Sequence, residues 1–255
     1  MRKSFTKTHI ILLALLILIL SCFGVVLNKT NSASVYFNGT TRKLPIYSVD
    51  RSDNKIAISF DCAYGAEYTD KLLQILSEYN VKCTFFVVKF WVDKYPDKAK
   101  KIIEMGHEIG THSSTHPNMS KLSSEKINEE LTLSIKAIQD ITNTPVNLFR
   151  APYGDYDNKV LTVAESLGLY TIQWDVDSLD WKDLSYKEIT NRIVSKTKSG
   201  SIILCHNNAL HTHEALPYVL SNLQQKGYEF VKISELIYKE NYYIDNFGKQ
   251  RLNTF

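Results

Sequence analysis

The 255-residue chain is 44% hydrophobic and 22% charged, a composition that buries a core and excludes a disordered chain, a collagen-like repeat or a multi-span membrane protein. Its formal charge of +3 misleads. Arg2, Lys3, Lys7 and Lys29 stand in an acid-free first stretch of 34 residues, which leaves 26 bases against 27 acids beyond it, so no basic field points to nucleic acid.

Residues 10–27, IILLALLILILSCFGVVL, hold no charge and follow Arg2, Lys3 and Lys7. Eighteen such residues are just enough to span a bilayer core, with the leading bases left in the cytoplasm. Residues 1–34 are therefore read as an uncleaved membrane anchor that exports the remainder. The alternative is a signal peptide cleaved near Asn31-Ser32-Ala33, with the rest secreted. A lead-in over 35–54 follows, then a domain over 55–240.

Short β-rich runs are predicted at 56–60, 83–89, 108–112, 146–149, 170–174, 201–206 and 228–233. Between them the spacing is helical. Tyr68, Leu72, Ile75, Leu76 and Tyr79 share one helix face, as do Ile127, Leu131, Ile135 and Ile138 after Ser123. Ser185-Tyr186-Lys187-Glu188 is a capping-box pattern, and Gly200 is one of four glycines placed to end helical segments. Strands alternating with helices imply a parallel sheet with crossovers, an α/β fold that at this length closes or nearly closes into a barrel; an open doubly wound sheet is the competing topology. The tail, 241–255, is polar with scattered aromatics and is expected outside the core.

In such a barrel the loops after the strands form the active face. At the strand ends stand SFDC (59–62), THSSTH (111–116), FRAPYG (149–154), DVDSLDW (175–181) and LCHNN (204–208). Five strands thus deliver ionisable groups to one rim. His112 and His116 are four apart before Pro117, a spacing that lets two imidazoles meet one divalent ion. Asp61, Arg150 and His206 each have ordinary structural uses as a helix cap, a surface ion pair and a core imidazole. His107 reads as structural. Cys83 and Cys205 sit in predicted strands as buried small hydrophobes.

Taken in order, SFDCA, HSSTH, RAPYG, DSLDW and LCH resemble the five motifs of the NodB-homology polysaccharide deacetylases, a carbohydrate esterase family whose pattern is TFDDG, HSxxH, RxPYG, DxxDW and LxH. The resemblance covers about residues 50–237, and the lead-in is similar to that of the sporulation-associated (PdaB-type) subgroup. It implies a distorted (β/α)7 barrel and metal-dependent removal of N-acetyl groups from amino sugars. It also assigns roles: Asp61 as general base, His206 as general acid, Arg150 orienting the base, and Asp180 tuning the acid. His112 and His116 are implied as metal ligands, Trp181 and Leu204 as walls around the acetyl methyl, and the Tyr153 backbone N–H as an oxyanion donor. The implied cofactor is a divalent metal, zinc first and cobalt or nickel next, which would polarise the amide carbonyl and acidify bound water.

One position departs from the pattern. The family's second aspartate, a metal ligand, is Cys62 here. A thiolate could complete a Cys-His-His zinc site; alternatively Cys62 faces the core and two histidines remain, or metal and activity are lost together. His211 and His213 could line a sugar groove or compensate. The leading expectation is an exported hydrolase acting on the N-acetyl amides of a cell-wall or related polysaccharide. A non-catalytic wall-glycan binder and a small-molecule amide hydrolase are the alternatives.

Overall fold

The structure, a computed structural model, describes residues 42–253; the apolar segment 10–27 lies outside them. Among the described residues no helix is long and apolar enough to cross a membrane. In chain order the first half contains β1 (Ser48–Val49), β2 (Lys55–Cys62), α1 (Thr69–Glu78), β3 (Thr84–Val87), α2 (Lys89–Lys94), α3 (Pro96–Glu104), β4 (Glu108–Thr111), α4 (Ser124–Thr142) and β5 (Leu148–Phe149). The second half continues with α5 (Asn158–Ser166), β6 (Tyr170–Thr171), β7 (Val176–Asp177), α6 (Tyr186–Lys196), β8 (Ile202–His206), α7 (Thr212–Gln225), β9 (Glu229–Phe230), α8 (Ile233–Leu236) and a hairpin of β10 (Tyr242–Ile244) and β11 (Lys249–Leu252).

The seven predicted strands all form, most of them shorter than expected, as β2 to β6, β8 and β9, and an eighth, the two-residue β7, was not predicted. Together they build a parallel sheet in the order β6-β5-β4-β3-β2-β8-β7, with β9 added beside the start of β2. With helices outside it, this is a distorted (β/α)7 barrel. The helices follow their sequence signals. Ser123 caps α4 by accepting from Lys126 N–H, and Ile127, Leu131 and Ile138 are buried on its inner face. Ser185 and Glu188 form the capping box of α6.

Strand β2 lies at the centre and is buried on both faces from Ile56 onward. Alternation sends successive side chains to opposite sides. Ile56, Ile58, Phe60 and Cys62 enter the apolar layer shared with α1, α2, α3 and α7. Ala57 joins the inner cluster with Phe86, Leu148, Ile172 and Ile202. The same parity in β8 sends Ile203 and Cys205 outward and Ile202 inward.

No ladder joins β6 to β7, and the lead-in covers that seam. Ile46 bridges Ile172, and Ser48 bridges Ser201. Ile46 N–H donates to Thr171 O at 2.9 Å, and Val49 N–H donates to Gly200 O at 2.9 Å. The tail does not lie apart, as its polarity suggested. β11 pairs in parallel with β1, Ser48 opposite Lys249, and the buried Gln250 exchanges hydrogen bonds with the backbone of Tyr238. A polar side chain replaces an apolar anchor there, so hydrophobic patterning gives no signal.

Gly200 is the tightest point of this seam. Its φ is +79°, and a Cβ built on it would stand 1.7 Å from Val49 O. A side chain there meets both backbone strain and a clash. We predict that Gly200→Ala lowers stability by more than about 1 kcal/mol, read as a fall in the urea midpoint; an unchanged midpoint would show that the lead-in is not held at this contact.

Candidate active site

The inward parity of β2 gives Ser59 and Asp61 to the barrel interior, and parallel pairing sets Asp61 beside His206 of β8 and Phe86 of β3. Arg150, just past β5, enters the same interior and is fully buried. Its Nη1 donates to Asp61 Oδ1 at 2.8 Å and to Ser59 Oγ at 2.9 Å, and its Nη2 donates to Gln173 O at 3.1 Å. The guanidinium lies 4.1 Å from the Phe86 ring centroid. Burial alone would raise the Asp61 pKa, but the Arg150 charge, then the neighbouring His112 and His206 rings, and the Arg150 hydrogen bond outweigh it and hold it below the usual carboxylate value. Asp61 is an anion at neutral pH.

His206 forms the second dyad. Its Nδ1 donates to Asp180 Oδ1 at 2.7 Å. Asp180 Oδ2 accepts from His206 N–H at 2.8 Å and from Thr212 Oγ at 2.6 Å. Burial works against an imidazolium, yet the Asp180 hydrogen bond and charge, with Asp61 and Asp177 behind them, raise the His206 pKa above the ordinary histidine value. The site thus holds an ionised carboxylate and a cation-prone imidazole on adjacent strands, the protonation states that a base and an acid require.

His112 and His116 complete the polar centre. His112 Nδ1 donates to Arg150 O at 2.8 Å, which leaves Nε2 as a lone pair 3.6 Å from Asp61 Oδ2. The two rings meet edge to face at 4.9 Å. Burial lowers both pKa values, to about 4 for His116, so both are neutral. His116 Nδ1 is buried without a hydrogen-bond partner.

Between them the chain is strained. Ser113 and His116 have φ of 73° and 61°, the left-handed region that ordinary residues avoid. Glu130 of α4 holds this turn: its carboxylate accepts from Ser114 N–H at 2.9 Å, Thr115 N–H at 2.8 Å and Thr115 Oγ at 2.7 Å. Sequence reading missed Glu130, because a helical glutamate fourteen positions past His116 looks like a solvated charge.

Asp61, His112, His116, Tyr153, Trp181, Leu204 and His206 line one cavity of about 710 Å³. Arg150 and Asp180 stand directly behind Asp61 and His206. Asp177, the first residue of DSLDW, also lines it, as do Tyr64 and Trp174, to which no motif drew attention. His211 and His213 do not: His211 pairs with Glu214 at 3.0 Å, and His213 stacks on Tyr68 at 4.3 Å. His107 is structural, buried and accepting from Cys83 N–H at 3.2 Å.

Cys62 corrects one expectation. It belongs to the outer apolar layer with Leu72, Val88 and Trp91, and Sγ approaches only Phe60 O, at 3.9 Å. Burial, then the Asp61 charge, push its pKa well up, and its place in that layer keeps it out of the cavity lining. Two neutral imidazoles offer metal-type donors, but among the described residues no group of three His, Cys, Asp or Glu is placed to hold an ion. The three-ligand zinc centre does not fit these residues.

Comparison with known proteins identifies the arrangement. The polysaccharide deacetylase family model matches residues 48–172. The chain is 34% identical over 196 residues to a peptidoglycan-N-acetylglucosamine deacetylase of Bacillus cereus, covering 75% of this chain and 92% of that protein. The chain belongs to the polysaccharide deacetylase family. It is also 34% identical to YlxY of Bacillus subtilis over 76% of this chain, while spanning 60% of that relative's length. Among solved structures, BA3943 of Bacillus anthracis, described as a CE4 family pseudoenzyme, superposes with a TM-score of 0.73 at 35% identity, over 75% of this chain and 68% of that one. A mutant of BA3943 is described as having restored enzymatic activity.

In this member of the polysaccharide deacetylase family Cys62 fills space. Cys62→Ala is expected to cost about 1–2 kcal/mol of stability and to leave any hydrolytic activity at the wild-type level; a collapse of activity in a folded variant would return Cys62 to the site.

Proposed function

We propose that this protein hydrolyses the N-acetyl amide of amino sugar residues in a peptidoglycan-type polysaccharide. One observation carries the reading: two dyads of opposite protonation tendency, Asp61 with Arg150 and His206 with Asp180, open on one cavity beside a pair of neutral imidazoles. Asp61 takes a proton from a water as its oxygen adds to the acetyl carbonyl, and the His112 Nε2 lone pair holds that water beside the carboxylate. The C–N bond then breaks as His206 gives its proton to the departing nitrogen, which is too basic to leave as an anion. Acetate and a free amine result. The Tyr153 backbone N–H serves as the oxyanion donor, and Trp181 and Leu204 enclose the methyl. Among the described residues zinc finds no third protein ligand here. The protein acts outside the cytoplasm, held by residues 10–27; the support for this is their uncharged sequence behind Arg2, Lys3 and Lys7.

A second reading, a wall-glycan binder without catalysis, is favoured by the core-facing Cys62. Acetate release from peptidoglycan or N-acetylglucosamine oligomers by the full-length chain separates the two. Wild type is expected to exceed Asp61→Asn by at least about 100-fold, the range for loss of a positioned base; equal release leaves only the binder.

The acid role has its own signature. His206 must be protonated to act, and its pKa is raised, so activity persists above the ordinary histidine range and falls as pH climbs through the raised value. Asp180→Asn removes the raising partner. The alkaline limb of kcat/KM is expected to move to lower pH; a limb that stays in place shows that His206 is not the acid.

A further inference from the structure

Nine large apolar side chains are exposed among the described residues, and four of them, Tyr64, Tyr153, Trp181 and Leu210, line the cavity of the site. Tyr64 is 60% exposed, Tyr153 66% and Trp181 58%. Apolar surface left in water in such a concentration marks a ligand site.

The sheet order decides how these residues are disposed. Asp61 ends β2, which lies between β3 and β8. Tyr64 follows β2 and leans toward the β3 and β4 side. Its ring is 5.7 Å from that of Phe90, after β3, and 5.8 Å from His116, after β4. Trp181 follows β7 and Leu210 follows β8, so both stand on the other side of Asp61. Apolar faces therefore flank the reacting centre on two sides. The cavity lining contributes Asp61, Asp177 and Asp183 but no Lys or Arg, so a sugar bearing a carboxylate meets no cation there.

We propose that Tyr64 is a stacking platform for the sugar next to the one that reacts, so that its ring sets how strongly the site favours a chain of sugars over a single one. This rests on the function proposed above. A pyranose ring presents a face of C–H groups, which an exposed tyrosine ring covers without needing a hydrogen bond. Tyr64 lies outside the five motifs and holds no catalytic group, so its effect is on affinity and on preference for length.

The test uses the full-length chain with N-acetylglucosamine itself and with its pentamer, with binding followed by tryptophan fluorescence, since Trp174 and Trp181 line the cavity. Wild type is expected to prefer the pentamer. Tyr64→Ala should reduce the pentamer-to-monosaccharide affinity ratio about fivefold, the scale of one aromatic contact, and Tyr64→Phe should restore it because stacking uses the ring and not the hydroxyl. An unchanged ratio in Tyr64→Ala, or an equal loss for both ligands, overturns the proposal while leaving the reading of the site intact. A wild-type chain that binds neither ligand overturns that reading and this inference with it.

Discussion

The ion pair between Asp61 and Arg150 is the constraint around which the interior is arranged. A fully buried guanidinium is costly to desolvate, and removing one partner of such a pair typically costs about 3–5 kcal/mol. The barrel answers with three acceptors, Asp61, Ser59 and Gln173 O, and with the face of Phe86. Arg150 also fixes His112 through its own carbonyl. One residue therefore sets the charge of the carboxylate and the tautomer of the imidazole beside it, and neither can move without stranding the other. The chemistry of the site is a by-product of satisfying one cation in an apolar barrel.

Much of this could be read from residue order. Five strand ends carrying Asp61, His112, Arg150, Asp180 and His206 converge because parallel strands present their C-terminal ends on one face. The register then put Asp61 and His206 side by side. The orientation of Cys62 was also within reach. Adjacent strand residues face opposite sides, so an Asp61 in the cavity requires Cys62 to leave it unless the strand breaks between them. Other features gave no signal. Two-residue strands such as β1 and β7 are too short to show a period, and the tail hairpin is anchored by Gln250 where a pattern search looks for an aliphatic residue. Glu130 acts through space across a loop that local sequence does not describe.

The chain is similar both to a deacetylase and to a pseudoenzyme. Its two buried dyads are complete, with two neutral imidazoles beside them. Asp61 and His206 are held by partners that do not involve Cys62, so the residue at position 62 is free to vary without stranding either buried charge.

The pairing of β1 with β11 has a kinetic side. Asp50 and Arg251, joined by an ion pair, are 201 positions apart, and the strands beside them share a ladder. Contacts of such span form late and slow the search for the native state. The lead-in's other neighbours, Ile172 and Ser201, also lie more than a hundred positions away, so the seam closes only after most of the barrel strands exist and its apolar lining faces solvent until then.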